Sequence, residues 1–298
     1  MGKIGFVGLG IMGKPMVKNL LKAGCDVMVS DLNQAAVDEV VALGATYGSY
    51  KDLAESCDYV FTILPTAQIV QGVLFGPDGI AAYMAPGKIC CDMSSVTATE
   101  SQYCYNELKK KDIGFVDAPV SGGEPGAIAG TLAIMCGGDE ADYEKLVPVF
   151  DILGSSSMLI GPSGSGSITK LANQIIVNLN IAAVSEALTL ATKAGVDPMK
   201  VYKAIRGGLA GSTVLDAKAP MMCARNFKPG GTIKVNNKDI KNVLATAHDL
   251  EVPLPLTAIL FEIQQTLKAN GHVMDDHAGY VQFYEMLAGV TVKSDEKA

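Results

Sequence analysis

Residues 3–20, KIGFVGLGIMGKPMVKNL, leave the chain few ways to begin. A short apolar run ends at Gly8, and residues 12–23 then repeat their apolar positions at helical spacing. Between them Gly8-Leu9-Gly10-Ile11-Met12-Gly13 has the spacing GxGxxG. In a chain with 32 glycines that spacing alone is weak. Directly after a strand and at the opening of a helix, it predicts a tight turn whose backbone closely approaches a pyrophosphate. The helix start adds unpaired N–H groups and a positive dipole end. The plainer alternative is a glycine turn with no ligand.

The pattern repeats. Apolar runs at 26–31, 59–65, 88–94, 113–121 and 131–138 read as strands, most with helical stretches between them, such as 34–43. Near-continuous apolar strands alternating with helices predict a parallel sheet covered on both faces. From about Ser165 the pattern is helical almost throughout, broken at Asp197-Pro198, Gly207-Gly208, 228–231 and 252–255. The stretch GPSGSGS (161–167) marks the boundary. The expected architecture is an α/β Rossmann-type nucleotide-binding domain over 1–163, then an all-helical substrate and oligomerisation domain over 164–298, joined by a long helix. The tail 294–298 is expected to fray.

Net charge −7 and a pI near 5.0 argue against a nucleic-acid or anionic-membrane partner. Seven cysteines without a CxxC pair read as reduced thiols in a cytoplasmic protein. The N-terminus reads as a strand rather than a signal peptide. The uncharged stretch 152–185 is too rich in glycine, serine and amides for a membrane span.

Asp31 closes the second strand, 18 residues after Gly13. A carboxylate there accepts hydrogen bonds from ribose hydroxyls and repels a 2′-phosphate, so NAD is favoured over NADP. Its alternative role is a helix cap.

Lys170 is the one charged residue between Ile152 and Ser185, in a chain that is 18% charged. Lys170, Gln174 and Asn178 share a helix face by spacing, with Asn173 beside them. Either this stripe faces something specific, or the lysine snorkels and the amides are packing groups. Ser121-Gly122-Gly123 follows a strand, where open α/β sheets bind ligands, and offers a hydroxyl and backbone N–H groups suited to a carboxylate. An ordinary strand-to-helix turn is the plainer reading. A dehydrogenase needs one group to handle the hydroxyl proton, and a lysine whose pKa is brought down by partial burial would serve. The stretch 272–277 does not read as a metal site, because its acids, standing before a helical stretch, are ordinary N-terminal caps.

The runs FVGLGIMGKPMVKNL (6–20), DAPVSGGEPGAIAGTLAIMCGG (117–138), GSGSITKLANQ (164–174) and KDIKN (238–242) resemble the β-hydroxyacid dehydrogenase family over nearly the whole chain. The resemblance implies a reversible conversion between a short hydroxy acid and its semialdehyde. It puts the catalytic lysine on Lys170 and the substrate carboxylate on Ser121, Gly122 and Gly123. The family asparagine four residues after the lysine is Gln174 here, with Asn173 before it, and both are kept as substrate contacts. Cofactor contacts fall on Gly8, Leu9, Gly10, Ile11, Met12, Gly13, Asp31, Leu64, Pro65, Ser95 and Lys238, Ser95 standing where many relatives have threonine. Asn236 and Asn237 are expected to reshape the substrate pocket. The apolar long helix points to a homo-oligomer, dimer or tetramer. A cofactor-binding regulator without activity is the alternative from another class.

Overall fold

The computed structural model describes residues 2–296; the chain divides into two compact units, bounded as Met1–Lys170 and Leu171–Ala298.

In the first unit β1 (Ile4–Val7), β2 (Val27–Ser30), β3 (Thr46–Tyr47), β4 (Tyr59–Thr62), β5 (Ile89–Asp92) and β6 (Gly114–Asp117) pair in parallel in the order β3-β2-β1-β4-β5-β6. The reversal between β1 and β4 is the place where such sheets bind ligands. Successive side chains point to opposite faces, so each strand serves two cores. Ile4, Phe6, Phe61, Cys91 and Val116 pack with Met16, Val17 and Leu20 of the helix Gly13–Lys22. Val7, Val60, Cys90 and Phe115 face the other way, against Leu53, Val70 and Leu108. This two-sided burial explains why the strands read as unbroken apolar runs.

The sheet departs from the expected all-parallel form. The run 113–121 is two strands, because Ala118-Pro119 intervenes between β6 and β7 (Val120–Ser121). β8 (Leu132–Gly138) runs antiparallel to both. Only residues 122–131, with the short helix Gly123–Ala129 among them, separate β7 from β8, too little chain for a parallel crossover. β9 (Gly154–Gly161) pairs parallel to β8 as an edge strand. Its sequence GSSSMLIG is serine-rich and none of its residues is buried, which hides it from a search for apolar runs. β3, two exposed residues, escapes the same search.

The long helix Ser165–Lys193 begins in the first unit and continues into the second. Among the described residues it is the one helix long and apolar enough to cross a membrane. Its polar members Lys170, Gln174 and Asn178 are instead buried in protein. The second unit is helical: Pro198–Ile205, Thr213–Cys223, Ile233–Asp249, Pro255–Ala269 and Val281–Ala288 pack around Ile181, Leu188, Met222, Ile240, Leu267 and Tyr280.

The expected fraying at 294–298 does not extend to Ser294. Its hydroxyl donates to Asp197 Oδ2 (2.8 Å) and its N–H to the Cys223 carbonyl (3.1 Å). Lys297 and Ala298 lie outside the described residues.

Candidate active site

The three glycines of the first turn serve different needs. Gly8 has φ +104°, and a Cβ there would lie 2.3 Å from the Ile63 carbonyl oxygen. At Gly13 a Cβ would lie 1.9 Å from the Gly8 oxygen. Both positions are glycine because the turn packs on itself. Gly10 differs: its φ is not positive, and a Cβ would meet no atom within 4 Å. The fold does not ask for glycine at this exposed position, whereas a ligand resting on the backbone would. Among the described residues no side chain caps the following helix at Met12, so its N-terminus remains available to an anion. Leu9 and Ile11 complete the turn, with Ile11 exposed and Leu9 buried.

Asp31 follows the last residue of β2. Its Oδ2 accepts the Leu9 N–H (2.5 Å) and its Oδ1 the Asn33 N–H (2.7 Å). The carboxylate thus ties the glycine turn to β2, and each oxygen keeps a further lone pair for a ligand hydroxyl. The adjoining Asn33, not Asp31, caps the next helix. These residues fit a dinucleotide: backbone N–H groups for the pyrophosphate, open space at Gly10 and an acid for a ribose.

Leu64 and Pro65 follow β4, and Ser95 follows β5. Thr62 and Ser94 hydroxyls donate to Asp92 Oδ1 at 2.7 and 2.5 Å. Burial raises the Asp92 carboxyl to about 6 against the lowering effect of these bonds, with the Asp117 charge adding to the rise. Sequence reasoning overlooked this cluster. Its signal is an acid closing an otherwise apolar run, KICCD.

Asp117 ends β6, directly beside Asp92 in register. Its Oδ1 accepts the Gly164 N–H (2.7 Å) and its Oδ2 the Ser167 N–H (2.9 Å), so it anchors the start of the long helix. Burial raises its pKa while these backbone bonds oppose the rise. The approach is close: a Cβ on Gly166 would lie 2.3 Å from the Met135 oxygen, and one on Gly137 2.8 Å from Asp117 Oδ1. Ser167 also shares a 2.8 Å hydroxyl contact with Ser101.

One turn on from Ser167, the Lys170 ammonium donates to the Val120 carbonyl at 2.7 Å. The side chain is 8% exposed. Ser121 is the next residue of β7. Gly122 and Gly123 follow at φ +141° and +61°, exposing their backbone. Fold and anchor therefore bring Lys170 to within one residue of the Ser121–Gly123 turn.

In the second unit Gln174 is occupied at both ends. Its Oε1 accepts from Asn173 Nδ2 (3.0 Å) and its Nε2 donates to Asp239 Oδ2 (2.6 Å). Asn178 is fully buried and accepts the Tyr280 hydroxyl at 2.7 Å. The lower part of the helix stripe is thus internal packing. Lys238 lies 3.1 Å from Asp239 Oδ1. Asn236 donates to the Thr232 carbonyl at the start of its own helix, and Asn237 to Gln264 on the helix Pro255–Ala269. Asp276 caps the turn 277–280 and holds Lys218 at 2.8 Å, as a structural acid does.

A parallel sheet with a glycine turn at its switch point, and a buried lysine beside a strand-end turn, define a nicotinamide-dinucleotide-binding oxidoreductase. The sequence matches two domain families: the NAD binding domain of 6-phosphogluconate dehydrogenase over residues 3–161, and the NAD-binding of NADP-dependent 3-hydroxyisobutyrate dehydrogenase over 164–284. The chain belongs to the β-hydroxyacid dehydrogenase family, whose members act on a CH–OH group of a small substrate with an NAD(P) cofactor. It is 43% identical to 2-hydroxy-3-oxopropionate reductase of Escherichia coli K12, over 96% of this chain and 98% of that protein. It is 37% identical to 2-(hydroxymethyl)glutarate dehydrogenase of Eubacterium barkeri, over 99% and 98%. A solved structure of Mycobacterium tuberculosis 3-hydroxyisobutyrate dehydrogenase with L-serine superposes with a TM-score of 0.88 at 28% identity, covering 95% of this chain and 99% of that one.

Two predictions follow from this geometry. Gly10→Ala is expected to keep the wild-type unfolding midpoint while weakening NADH binding, whereas Gly13→Ala lowers the midpoint; denaturation and NADH titration of both variants check this. For Asp92 the folded pKa, about 6, lies above the ordinary 3.8. The folded state therefore holds the proton more tightly, and this contribution to stability is lost as pH rises from about 4 to 6. Over that interval urea unfolding should show Asp92→Asn gaining roughly 3 kcal/mol relative to wild type.

Proposed function

We propose that the protein reduces tartronate semialdehyde (2-hydroxy-3-oxopropanoate) reversibly to D-glycerate with NADH, using Lys170 as general acid and base. The observation that carries this is the Lys170 ammonium, 2.7 Å from the Val120 carbonyl and one residue from the Ser121–Gly123 turn. The turn's hydroxyl and backbone N–H groups hold the substrate carboxylate. Lys170 donates a proton to the carbonyl oxygen as the alkoxide charge develops, and takes it back in the reverse direction. The cofactor supplies or accepts the hydride. Asn173, three residues beyond Lys170 on the same helix, orients the substrate, and Gln174 holds Asn173. Lys238 takes a cofactor role by family resemblance.

The choice of NADH rests on Asp31, whose carboxylate repels a 2′-phosphate, and on the absence of an arginine nearby in the sequence. The choice of substrate rests on the 43% identical E. coli relative. The second reading keeps the same machinery with 2-(hydroxymethyl)glutarate, the substrate in the name of the 37% identical relative, or with 3-hydroxyisobutyrate or a short-chain semialdehyde. A non-catalytic regulator is disfavoured because Lys170, Ser121 and the glycine turn are all present.

The deciding assay follows NADH oxidation at 340 nm with each substrate, against NADPH, for wild type and Lys170→Ala. Tartronate semialdehyde is expected to turn over fastest, NADH to be preferred, and Lys170→Ala to lose on the order of 10²–10⁴ in kcat. A folded Lys170→Ala protein that keeps most of its turnover sinks the role of the lysine. Fast turnover of another substrate overturns the substrate assignment, and a strong preference for NADPH overturns that of Asp31.

Exposed Ile176 and Leu190 on the long helix, with Leu256 and Ile259 on Pro255–Ala269, support a homo-oligomer, a dimer or tetramer. Light scattering of the purified protein is expected to give a mass at least twice that of the chain; a monomer mass overturns this.

A further inference from the structure

Asp92 takes no part in the chemistry above, yet it is 2% exposed and stands at the end of β5, in register with Thr62 at the end of β4. Burying a carboxylate is expensive unless hydrogen bonds surround it. Here three donors converge on a single oxygen, Oδ1: the Thr62 hydroxyl (2.7 Å), the Ser94 hydroxyl (2.5 Å) and the Ser94 N–H (3.2 Å). The Ser94 hydroxyl has one hydrogen, and that hydrogen goes to Asp92. Its lone pair then accepts the Leu64 N–H at 2.8 Å. The direction of each bond is fixed: Leu64 backbone to Ser94 oxygen, Ser94 hydrogen to Asp92 oxygen.

The loops joined this way are the two that follow β4 and β5. One carries Leu64 and Pro65, the other Ser95. Loop backbone at the C-terminal ends of parallel strands is where these sheets meet their ligands, and an oriented loop binds more tightly because less ordering remains to be done on binding.

We infer that Asp92 and Ser94 are positioning residues for the dinucleotide, fixing the Leu64-Pro65 and Ser95 loops in the form that accepts it. The inference rests on the assignment of those loops to the cofactor, and it concerns cofactor affinity rather than proton transfer. Asp92 acts only through Ser94 and the backbone, and neither residue is asked to touch the reacting atoms.

The test is direct titration of NADH fluorescence with the full-length protein, alongside KM values for NADH and for the semialdehyde. Ser94→Ala removes the link and leaves Asp92 with its Thr62 and backbone bonds. It is expected to raise the NADH Kd about tenfold, the scale of one buried hydrogen bond, with the semialdehyde KM within about twofold. Asp92→Leu should match it, and the double variant should be no weaker than either single one, because both break one chain of bonds. Asp92→Asn keeps an acceptor at Oδ1 and should bind NADH within about threefold of wild type. A folded Ser94→Ala protein with wild-type NADH affinity overturns the inference. So does an equal rise in NADH Kd and semialdehyde KM, which is the mark of a general structural defect. If Asp92→Leu does not fold, Ser94→Ala still decides. A wild-type protein that fails to bind NADH overturns the dinucleotide reading itself, a separate failure.

Discussion

A buried carboxylate at the end of a strand sets where Lys170 sits. Asp117 is 1% exposed, and removing its charge from water costs several kcal/mol. The cost is offset because the charge lies against the opening turn of the long helix, where the N–H groups of Gly164 and Ser167 lack intrahelical partners and the dipole is positive. Each side of this contact supplies what the other lacks. An apolar residue in place of Asp117 would leave helix N–H groups buried and unpaired. The helix start is thereby tied to one point of the sheet, and Lys170 reaches the Val120 carbonyl from there. Gly137 and Gly166 permit the contact by having no side chains to hold the backbones apart.

Asp92 and Asp117 stand side by side on β5 and β6 and divide the strand ends between them. One organises the loops after β4 and β5, the other the helix that carries the lysine. The Asp117 charge adds to the rise in the proton affinity of Asp92. Donors crowd around both: hydroxyls and one N–H at Asp92, chiefly backbone N–H groups at Asp117. A side-chain donor can be removed by many single substitutions, whereas a backbone donor is lost only to proline.

The architecture was legible because two-sided burial writes itself into strands as apolar runs and the helical half has no such runs. The glycine turn was legible because its spacing came with a strand before it and a helix after it. What escaped followed from local physics. β9 pairs along one edge and buries none of its residues fully, so serines suffice. The antiparallel return of β8 depends on a proline and a short helix rather than on hydrophobicity. Lys170 stood out because an isolated charge in an apolar helix needs a reason. Gln174 and Asn178 stood on its face, but spacing cannot tell an amide turned toward a substrate from one turned toward Asp239 or Tyr280. The Asp92 cluster was invisible because Thr62, which donates to Asp92, and Leu64, which donates to Ser94, each lie 30 residues from the group they bond and are of no unusual type.

The division of labour among the first three glycines bears on how such a chain can drift over generations. Gly8 and Gly13 are guarded by the fold itself, since any side chain there collides with backbone. Gly10 is guarded only by the need to bind something. Were that need relaxed, a methyl group could settle at Gly10 with no penalty to folding, and the descendant would persist as a well-formed protein without its chemistry. Stability and binding are thus written on separate glycines of one turn, and the loss of one need not announce itself in the other.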